Sequence, residues 1–435
     1  MELLLQGVSF LPEPRIDKLQ TKTNIVIEDN MITEISPRAK LPDPEFQIQG
    51  RRLIVLPPPI NSHTHLPMTL LRGYSDNKPL FPWLQDVWEI EGKFDASWIT
   101  MGTKLAALEM IKSGTGGAAD FYFHESKIGA VLAQAGLRGW LGSGVLPSAF
   151  VDQGGIEFQL MEFRRALDLA NTSPLLEASI APHSQSTVDA ETILKTADLA
   201  EKHSVPIMIH ASETRKEVLE SEEKHKAPPV ERLDQLGFFR DEVDAILAHC
   251  TWITQREVEI LGKHESIVGW CPVSSQKLAY GGVTPIPELL KANATVAIGT
   301  DGSASNNTLD LWREMRNAAN VISAHRWDPA LYTAEQALND TCWALRERLK
   351  PRTLIGKKNP QPVADLVIMD FHKPHLIPSS NVISNLVYAA NGSDTHSLIV
   401  NGQLLMYDRR VLTINEEEVL HDLEQKLPEL YGNGP

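Results

Sequence analysis

The stretch AETILKTADLAEKHSVPIMIH, residues 190–210, contains the repeating unit that decides the fold of this chain. Apolar residues recur at helical spacing through Ala190–His203, and the short apolar run Val205–His210 follows and ends in a histidine. Similar runs alternate with helical segments such as Ser97–Lys112 and Pro285–Lys291. This alternation is typical of βα units and a parallel sheet.

Eight such apolar runs can be counted, which is the number that closes a (β/α)8 barrel of the TIM type, and the predicted class is therefore α/β. The runs are Leu53–Leu56 leading into His65, Ala118–Phe123, Leu137–Leu146, Leu176–Pro182, Val205–His210, Val243–His249, Ile267–Cys271 and Val296–Asp301.

Both ends of the chain differ from the middle, because short strands separated by turns replace the βα pattern there. We therefore predict a small β-sandwich domain formed by both chain ends. Its first part covers residues 1–56, the barrel covers 57–361, and residues 362–435 supply the second part with an exposed amphipathic C-terminal helix at Glu416–Leu430. The strands predicted at the two ends are Leu3–Leu5, Asn24–Ile27, Met31–Ile35, Ala364–Met369, Ser397–Val400 and Leu404–Met406.

The composition favours a small-molecule partner. The formal charge of -15 argues against nucleic acid, which requires clustered Lys and Arg. No apolar run approaches the roughly 20 residues of a membrane-spanning helix, and the N-terminus lacks the features of a signal peptide, so we predict a cytoplasmic protein without membrane contact. The three cysteines form no CxxC pair, which supports neither disulfides nor a cysteine-built zinc site.

Four side chains that can bind a metal follow predicted barrel strands. His63 and His65 are two residues apart and face the same way on a strand, His210 ends the fifth run, and Asp301 ends the eighth. In a barrel the carboxyl ends of all strands surround one catalytic mouth, so these four can meet around one divalent ion and leave room for water. A single HxH motif would more often be structural, and the combination favours a metal site.

Further candidate site residues also follow predicted barrel strands. Glu213, three residues after His210, can carry a proton between water and substrate, although alone it would more often be a surface residue. His249 ends the sixth run and can hydrogen-bond an oxygen at the reacting centre. His124 follows the second run and is a weaker candidate for substrate contact.

Several segments carry a resemblance to a known family, in the right order and over nearly the whole chain. They are NSHTHLPMTLLRGYSD (61–76), PLFPWLQDVWEIEGKF (79–94), APHS (181–184), IHASET (209–214), LAHCTW (247–252), CPVSSQKLA (271–279) and GTDGSASNNTLDLWREMRNAA (299–319). The chain resembles the amidohydrolase superfamily and, within it, the deaminases of 5′-methylthioadenosine and S-adenosylhomocysteine.

The resemblance implies one divalent ion per subunit, usually zinc with iron(II) as the alternative, bound by His63, His65, His210 and Asp301. Glu213 would handle the proton on the purine ring, His249 would assist the attacking water, and Asp301 would accept a proton from that water. The substrate contacts would be Glu91 at the ribose hydroxyls, His183, Glu213, Trp83 and Trp88. The reaction would replace the amino group at C6 with oxygen and release ammonia. The family also implies a homo-oligomer, either a dimer or a tetramer.

Alternatives remain open at this point. A guanine-type or triazine aminohydrolase, or a chlorohydrolase, could use the same site, because fold alone does not separate these reactions. A non-enzymatic relative would have lost metal ligands, and this chain retains them. Departures from the family pattern lie at Pro57–Pro59, Ala211–Ser212, Gln185–Ser186 and Ser274–Gln276, and Ser143 stands where some relatives carry arginine.

Overall fold

The computed structural model describes residues 1–147, 155–349 and 362–431. Eight parallel strands form a nearly closed barrel in the order β6 to β13. Its first and last strands meet, since Asp301 N donates to the carbonyl of His63 at 2.9 Å and Ser62 Oγ donates to Ala297 O at 2.8 Å. The strands are β6 Ile60–Thr64, β7 Gly117–Tyr122, β8 Arg138–Val145, β9 Leu176–Pro182, β10 Ile207–Ala211, β11 Ala245–His249, β12 Ile267–Trp270 and β13 Thr295–Ile298.

The second layer is a nine-stranded mixed sheet built from both chain ends. Its inward-facing residues, among them Leu5, Ile25, Val55, Ile368 and Ile399, form one buried cluster because alternate strand residues face the same side. The predicted fold class is confirmed. The strands are β1 Glu2–Phe10, β2 Gln20–Glu28, β3 Met31–Ser36, β4 Phe46–Gln49, β5 Leu53–Leu56, β14 Leu366–Asp370, β15 Thr395–Val400, β16 Gln403–Tyr407 and β17 Arg410–Val411.

One predicted barrel strand was wrong. Leu53–Leu56 lies in the end sheet, where β5 pairs with β1 and β14, and the first barrel strand is β6. The three prolines Pro57–Pro59 separate the two strands, because proline donates no backbone hydrogen bond and fixes φ. The domain limits 1–56, 57–361 and 362–435 remain a prediction, and residues 350–361, next to the second limit, lie outside those described.

Helices cover the outside of the barrel and follow most of its strands. Ala190–His203 is helical over the whole range that the sequence predicted, and the C-terminal helix buries Val419, Leu423 and Leu430. No helix among the described residues is long and apolar enough to cross a bilayer. The helices are α1 Leu80–Glu91, α2 Ala96–Ser113, α3 Glu125–Ala135, α4 Gly155–Ala170, α5 Ala190–His203, α6 Arg215–His225, α7 Pro229–Leu236, α8 Gln255–Lys263, α9 Pro272–Lys277, α10 Ile286–Lys291, α11 Ser303–Asn306, α12 Leu311–Arg326, α13 Ala334–Cys342, α14 Ala344–Arg348, α15 Val382–Tyr388 and α16 Glu416–Tyr431.

A buried ion-pair cluster joins the barrel to the end sheet. Arg138 at the start of β8 donates two hydrogen bonds to Asp365, just before β14, at 2.7 and 3.0 Å. Arg346 donates a third to the same carboxylate at 2.7 Å. Because Arg138 lies at the amino end of its strand, the end sheet attaches to the barrel at the face opposite the carboxyl ends.

Candidate active site

The carboxyl ends of β6, β10 and β13 bring the four predicted metal ligands together. The ring centroid of His63 lies 4.9 Å from that of His65 and 4.8 Å from that of His210. Oδ1 of Asp301 lies 3.2 Å from Nε2 of His65 and 3.7 Å from Nε2 of His63. These residues, far apart in sequence, therefore surround one small volume at the barrel mouth.

Backbone carbonyls orient two of the imidazoles. Nδ1 of His65 donates to the carbonyl of Phe121 at 2.5 Å, and Nδ1 of His210 donates to the carbonyl of His183 at 2.8 Å. Each bond fixes the tautomer in which Nε2 carries the lone pair that binds metals. Burial lowers the pKa of both His63 and His210 well below the ordinary range, which keeps these rings neutral and ready to coordinate.

The donor set fits a divalent cation. Nε2 of His63 is buried without a hydrogen-bond partner among the described residues, and such a nitrogen is costly unless something binds it. His63, His65 and Asp301 offer ligand atoms within 4.8 Å of one another, as do His63, His210 and His249. Imidazole nitrogens with one carboxylate oxygen are ligands that zinc and similar ions accept.

Asp301 is held in place by several hydrogen bonds. Its Oδ2 accepts from Ser274 Oγ at 2.6 Å and from Ser305 Oγ at 2.8 Å, and its backbone is in the left-handed region at φ 62°. Burial by itself would raise the pKa of Asp301, but its interactions with the neighbouring imidazoles, that of His65 first, bring it well below the usual range. The carboxylate is therefore ionised, as a metal ligand must be.

Glu213 and His249 lie beside the ligands. Oε1 of Glu213 is 3.6 Å from Nε2 of His249, whose ring centroid is 5.4 Å from that of His63. The backbone of Ser212 has φ 51°, which turns the chain sharply between His210 and Glu213. The buried Glu217 accepts from the backbone N–H groups of Ser212 and Glu213 at 3.3 and 2.8 Å, so it fixes this turn.

The predicted substrate contacts line one cavity of about 680 Å³ that ends at the metal ligands. Glu91, His183, Trp83 and Trp88 are all in its wall, together with Glu213 and His249. Tyr122 donates a hydrogen bond to Glu91, and burial raises the pKa of Glu91 to about 7. Burial lowers the pKa of His183 to about 3, so this ring is neutral. This volume includes open solvent.

Sequence reasoning missed Tyr280, and it ranked His124 as a weaker candidate. Tyr280 lines the main cavity, its ring is 5.9 Å from that of His249, and its buried hydroxyl faces Glu213 and Ser274. Ala279 before it has φ 52°, a turn that no motif signalled. His124 lines a separate small cavity beside Phe158 and not the main one.

The barrel, its buried cluster of candidate metal ligands and the cavity above them are the features of a metal-dependent hydrolase. The model of the amidohydrolase family matches residues 54–405, and the chain belongs to this family. The predicted resemblance and the predicted enzyme class, a metal-dependent hydrolytic deaminase, are confirmed. Membership implies a divalent metal, with which the His and Asp cluster is compatible.

Relatives match along almost the full length. A 5-methylthioadenosine/S-adenosylhomocysteine deaminase from Pelotomaculum thermopropionicum is 35% identical over 98% of this chain and 98% of its own length. A 5'-deoxyadenosine deaminase from Methanopyrus kandleri is 36% identical over 96% of each chain. A crystal structure of an adenosine deaminase from Xanthomonas campestris with bound zinc has a TM-score of 0.90 at 29% identity, covering 99% of this chain and 98% of the other.

The fold is also shared with more distant hydrolases. An atrazine chlorohydrolase from Arthrobacter aurescens, complexed with zinc, has a TM-score of 0.87 at 20% identity and covers 98% of this chain and all of its own. At that identity the likeness concerns the fold alone. The triazine alternative therefore gains no support beyond the shared barrel.

Proposed function

We propose that this chain hydrolytically removes the amino group from C6 of adenosine-type nucleosides, with one zinc ion held by His63, His65, His210 and Asp301. The observation that carries the proposal is the cavity that has these ligands and Glu213 at its inner end and Glu91 in its wall. The names of the full-length relatives, a methylthioadenosine/adenosylhomocysteine deaminase and a 5'-deoxyadenosine deaminase, agree with it.

A divalent ion in this cluster supplies a nucleophilic water at neutral pH by lowering the pKa of that water. The protein residues then move protons. Glu213 protonates the ring nitrogen next to C6 as the carbon becomes tetrahedral, and His249, 3.6 Å from Glu213, hydrogen-bonds the oxygen that adds to C6. Asp301 accepts a proton from the water. When the C6–N bond breaks, that proton passes to the amino group, which leaves as ammonia. The remaining proton of the C6 hydroxyl moves to Glu213, which replaces the proton that Glu213 gave to the ring and leaves the 6-oxo purine.

Three features of the cavity support a nucleoside over a bare ring. The buried carboxylate Glu91 can accept hydrogen bonds from two ribose hydroxyls, and neutral His183 can contribute another. Trp88 lies 6.4 Å from the ring of His183, and together with Trp83 it forms an aromatic wall of the kind that packs against purines. A guanine-type or triazine substrate brings no ribose hydroxyls to Glu91, so either alternative would forgo the hydrogen bonds that this carboxylate can accept from a sugar.

The test is ammonia release by zinc-loaded protein from adenosine, 5′-methylthioadenosine, S-adenosylhomocysteine, guanine and an aminotriazine. We expect turnover of at least one adenosine nucleoside and none of guanine or the triazine. The variant Glu213→Gln should lose roughly 10³-fold or more in kcat while its zinc content stays unchanged. Glu222→Gln removes a carboxylate from the exposed face of α6 and serves as the control. Retained activity in Glu213→Gln would remove this residue from the mechanism.

The oligomeric state, the cellular location and the partner of this chain remain predictions from the sequence. We propose a homo-oligomer, a dimer or tetramer, and a cytoplasmic location, with a small molecule and not nucleic acid as the partner. Light scattering of the purified protein measures the first of these directly, and a monomer at micromolar concentration would contradict it.

A further inference from the structure

The active-site cavity continues into a second, outer chamber of about 1430 Å³, open solvent included. The outer chamber lies between α1 and α6, and it begins where the inner cavity ends. A nucleoside whose purine reaches the metal ligands would therefore direct a long 5′ substituent toward this chamber. The residues that line both spaces are Leu80, Leu84, Trp88, His183, His210 and Glu213.

Apart from the histidines, every charged side chain among the described residues that lines either space is acidic. The inner cavity contains Glu91, Glu213 and Asp301, and the outer chamber adds Glu89, Glu217 and Glu220. No Lys or Arg of the described residues lines either space. The sequence of residues 148–154, SAFVDQG, contains no basic residue either.

Two lysines that lie close in sequence to residues lining the outer chamber already have partners. Nζ of Lys216 lies 3.6 Å from Oε1 of Glu220 and 3.9 Å from the ring centroid of Phe81. Lys78 pairs with Asp86 on α1. A carboxylate on the substrate would lose water on entry and lie near the carboxylates of Glu89 and Glu213, and no Lys or Arg among the described lining residues would pair with it.

The inner part of the channel is apolar. Leu80, Trp83, Leu84 and Met68 line it, and Trp83 is only 5% exposed. Such a wall contacts a methyl, methylene or thioether group favourably, because burying apolar surface releases free energy. The chemistry of the channel thus suits a short apolar substituent and opposes an anionic one.

We propose that the outer chamber makes this enzyme selective for nucleosides with an uncharged 5′ substituent, and that it discriminates against substituents whose only charge is a terminal carboxylate. This inference rests on the proposed adenosine-type deamination.

The experiment compares two 5′-thioethers of adenosine that differ in charge and hardly in shape, the 3-carbamoylpropyl and the 3-carboxypropyl derivatives. We expect kcat/KM for the carboxylate to be roughly 30-fold below that of the amide at 20 mM salt. We expect the gap to narrow at 500 mM salt, because added ions screen charges in an open chamber. A carboxylate derivative that reacts within about threefold of the amide at 20 mM salt overturns the inference.

The double variant Glu89→Gln/Glu220→Gln tests whether the outer chamber causes the discrimination between the amide and the carboxylate derivatives. It should narrow the amide-to-carboxylate ratio about threefold at 20 mM salt, since both side chains are partly screened by water. Glu222→Gln changes the charge of α6 outside the chamber and should leave the ratio as it is. An unchanged ratio in the double variant, or an equal change in the control, would show that the chamber is not the cause.

The outcomes also separate the two proposals. If 5′-methylthioadenosine is deaminated and the acid and amide derivatives react alike, only the selectivity is wrong. If neither 5′-methylthioadenosine nor any other adenosine nucleoside releases ammonia, the proposed function fails, and the selectivity inference fails with it.

Discussion

The variant Glu91→Gln tests whether this buried carboxylate binds the sugar of the substrate. Glu91 is 2% exposed at the end of α1 and accepts a hydrogen bond from the hydroxyl of Tyr122. A hydrogen bond to a charged partner is worth about 1.5–3 kcal/mol, and Gln keeps the shape but not the charge. We therefore expect kcat/KM for a ribonucleoside to fall roughly 10- to 100-fold.

The pH dependence gives the same variant a second readout. Burial raises the pKa of Glu91 from 4.5 to about 7, which corresponds to roughly 3 kcal/mol against the ionised carboxylate. Only the ionised form accepts two hydroxyl hydrogen bonds, so kcat/KM should rise as pH increases through this pKa. A bound cation shifts this rise of kcat/KM to lower pH without abolishing it. In the variant Glu91→Gln, kcat/KM should not show this rise.

The contribution of Glu91 to the free energy of unfolding should fall as pH rises, whereas kcat/KM should increase. The folded-state pKa of Glu91 lies above its unfolded value, so its stabilising contribution is complete below about pH 4.5 and is lost as pH rises through 7. The free energy of unfolding of Glu91→Gln should thus exceed that of the parent at pH 8 by up to roughly 3 kcal/mol, and the difference should shrink at pH 5. Urea titrations at the two pH values measure it.

The assay is ammonia release at several substrate concentrations, with adenosine and 2′,3′-dideoxyadenosine as a matched pair. The dideoxy compound lacks the hydroxyls, so Glu91→Gln should affect it much less than adenosine. An equal loss for both compounds, or no loss for adenosine, would refute the assignment of Glu91 to the ribose.

Three further predictions follow from the structure. Tyr280→Phe should lower kcat/KM roughly 10-fold at unchanged zinc content if the buried hydroxyl meets the substrate, and unchanged kinetics would give that hydroxyl no role. Asp365→Asn should cost about 3–5 kcal/mol in urea unfolding, because it leaves Arg138 buried without its partner, and a loss below 1 kcal/mol would contradict this. Burial opposes the ionisation of Asp365, but Arg138 and Arg346 bring its pKa below the usual range, so its contribution is present above about pH 4 and is lost as pH falls further. His63→Ala should abolish zinc retention in elemental analysis, and a full complement of zinc would argue against His63 as a ligand.

The sequence revealed the barrel because its strands are buried and end in chemically distinctive residues. Runs such as Val205–His210 and Val243–His249 lie within one or two residues of the observed strands β10 and β11. The helix Ala190–His203 was readable from its spacing, and in the structure the side chain of Asp189 caps it at Thr192 N. Local signals of this kind do not depend on distant contacts.

The sequence-based predictions were wrong or incomplete where contacts between distant segments determine the position of a strand or a side chain. Leu53–Leu56 has the composition of a barrel strand, and only its pairing with β14 near the other chain end places it in the end sheet. Tyr280 reaches the cavity because Ala279 adopts a left-handed conformation, which alanine seldom signals. The acidic outer chamber combines Glu89 from α1 with Glu220 from α6, and no spacing rule brings these two together.

The pairing of β5 with β14 also has a consequence for synthesis on the ribosome. One edge of β5 stays without its neighbour until nearly the whole chain has left the exit tunnel, whereas all eight barrel strands are translated earlier. Exposed strand edges are templates for aggregation. We therefore expect chains truncated before β14 to depend on chaperones far more than the full-length protein does.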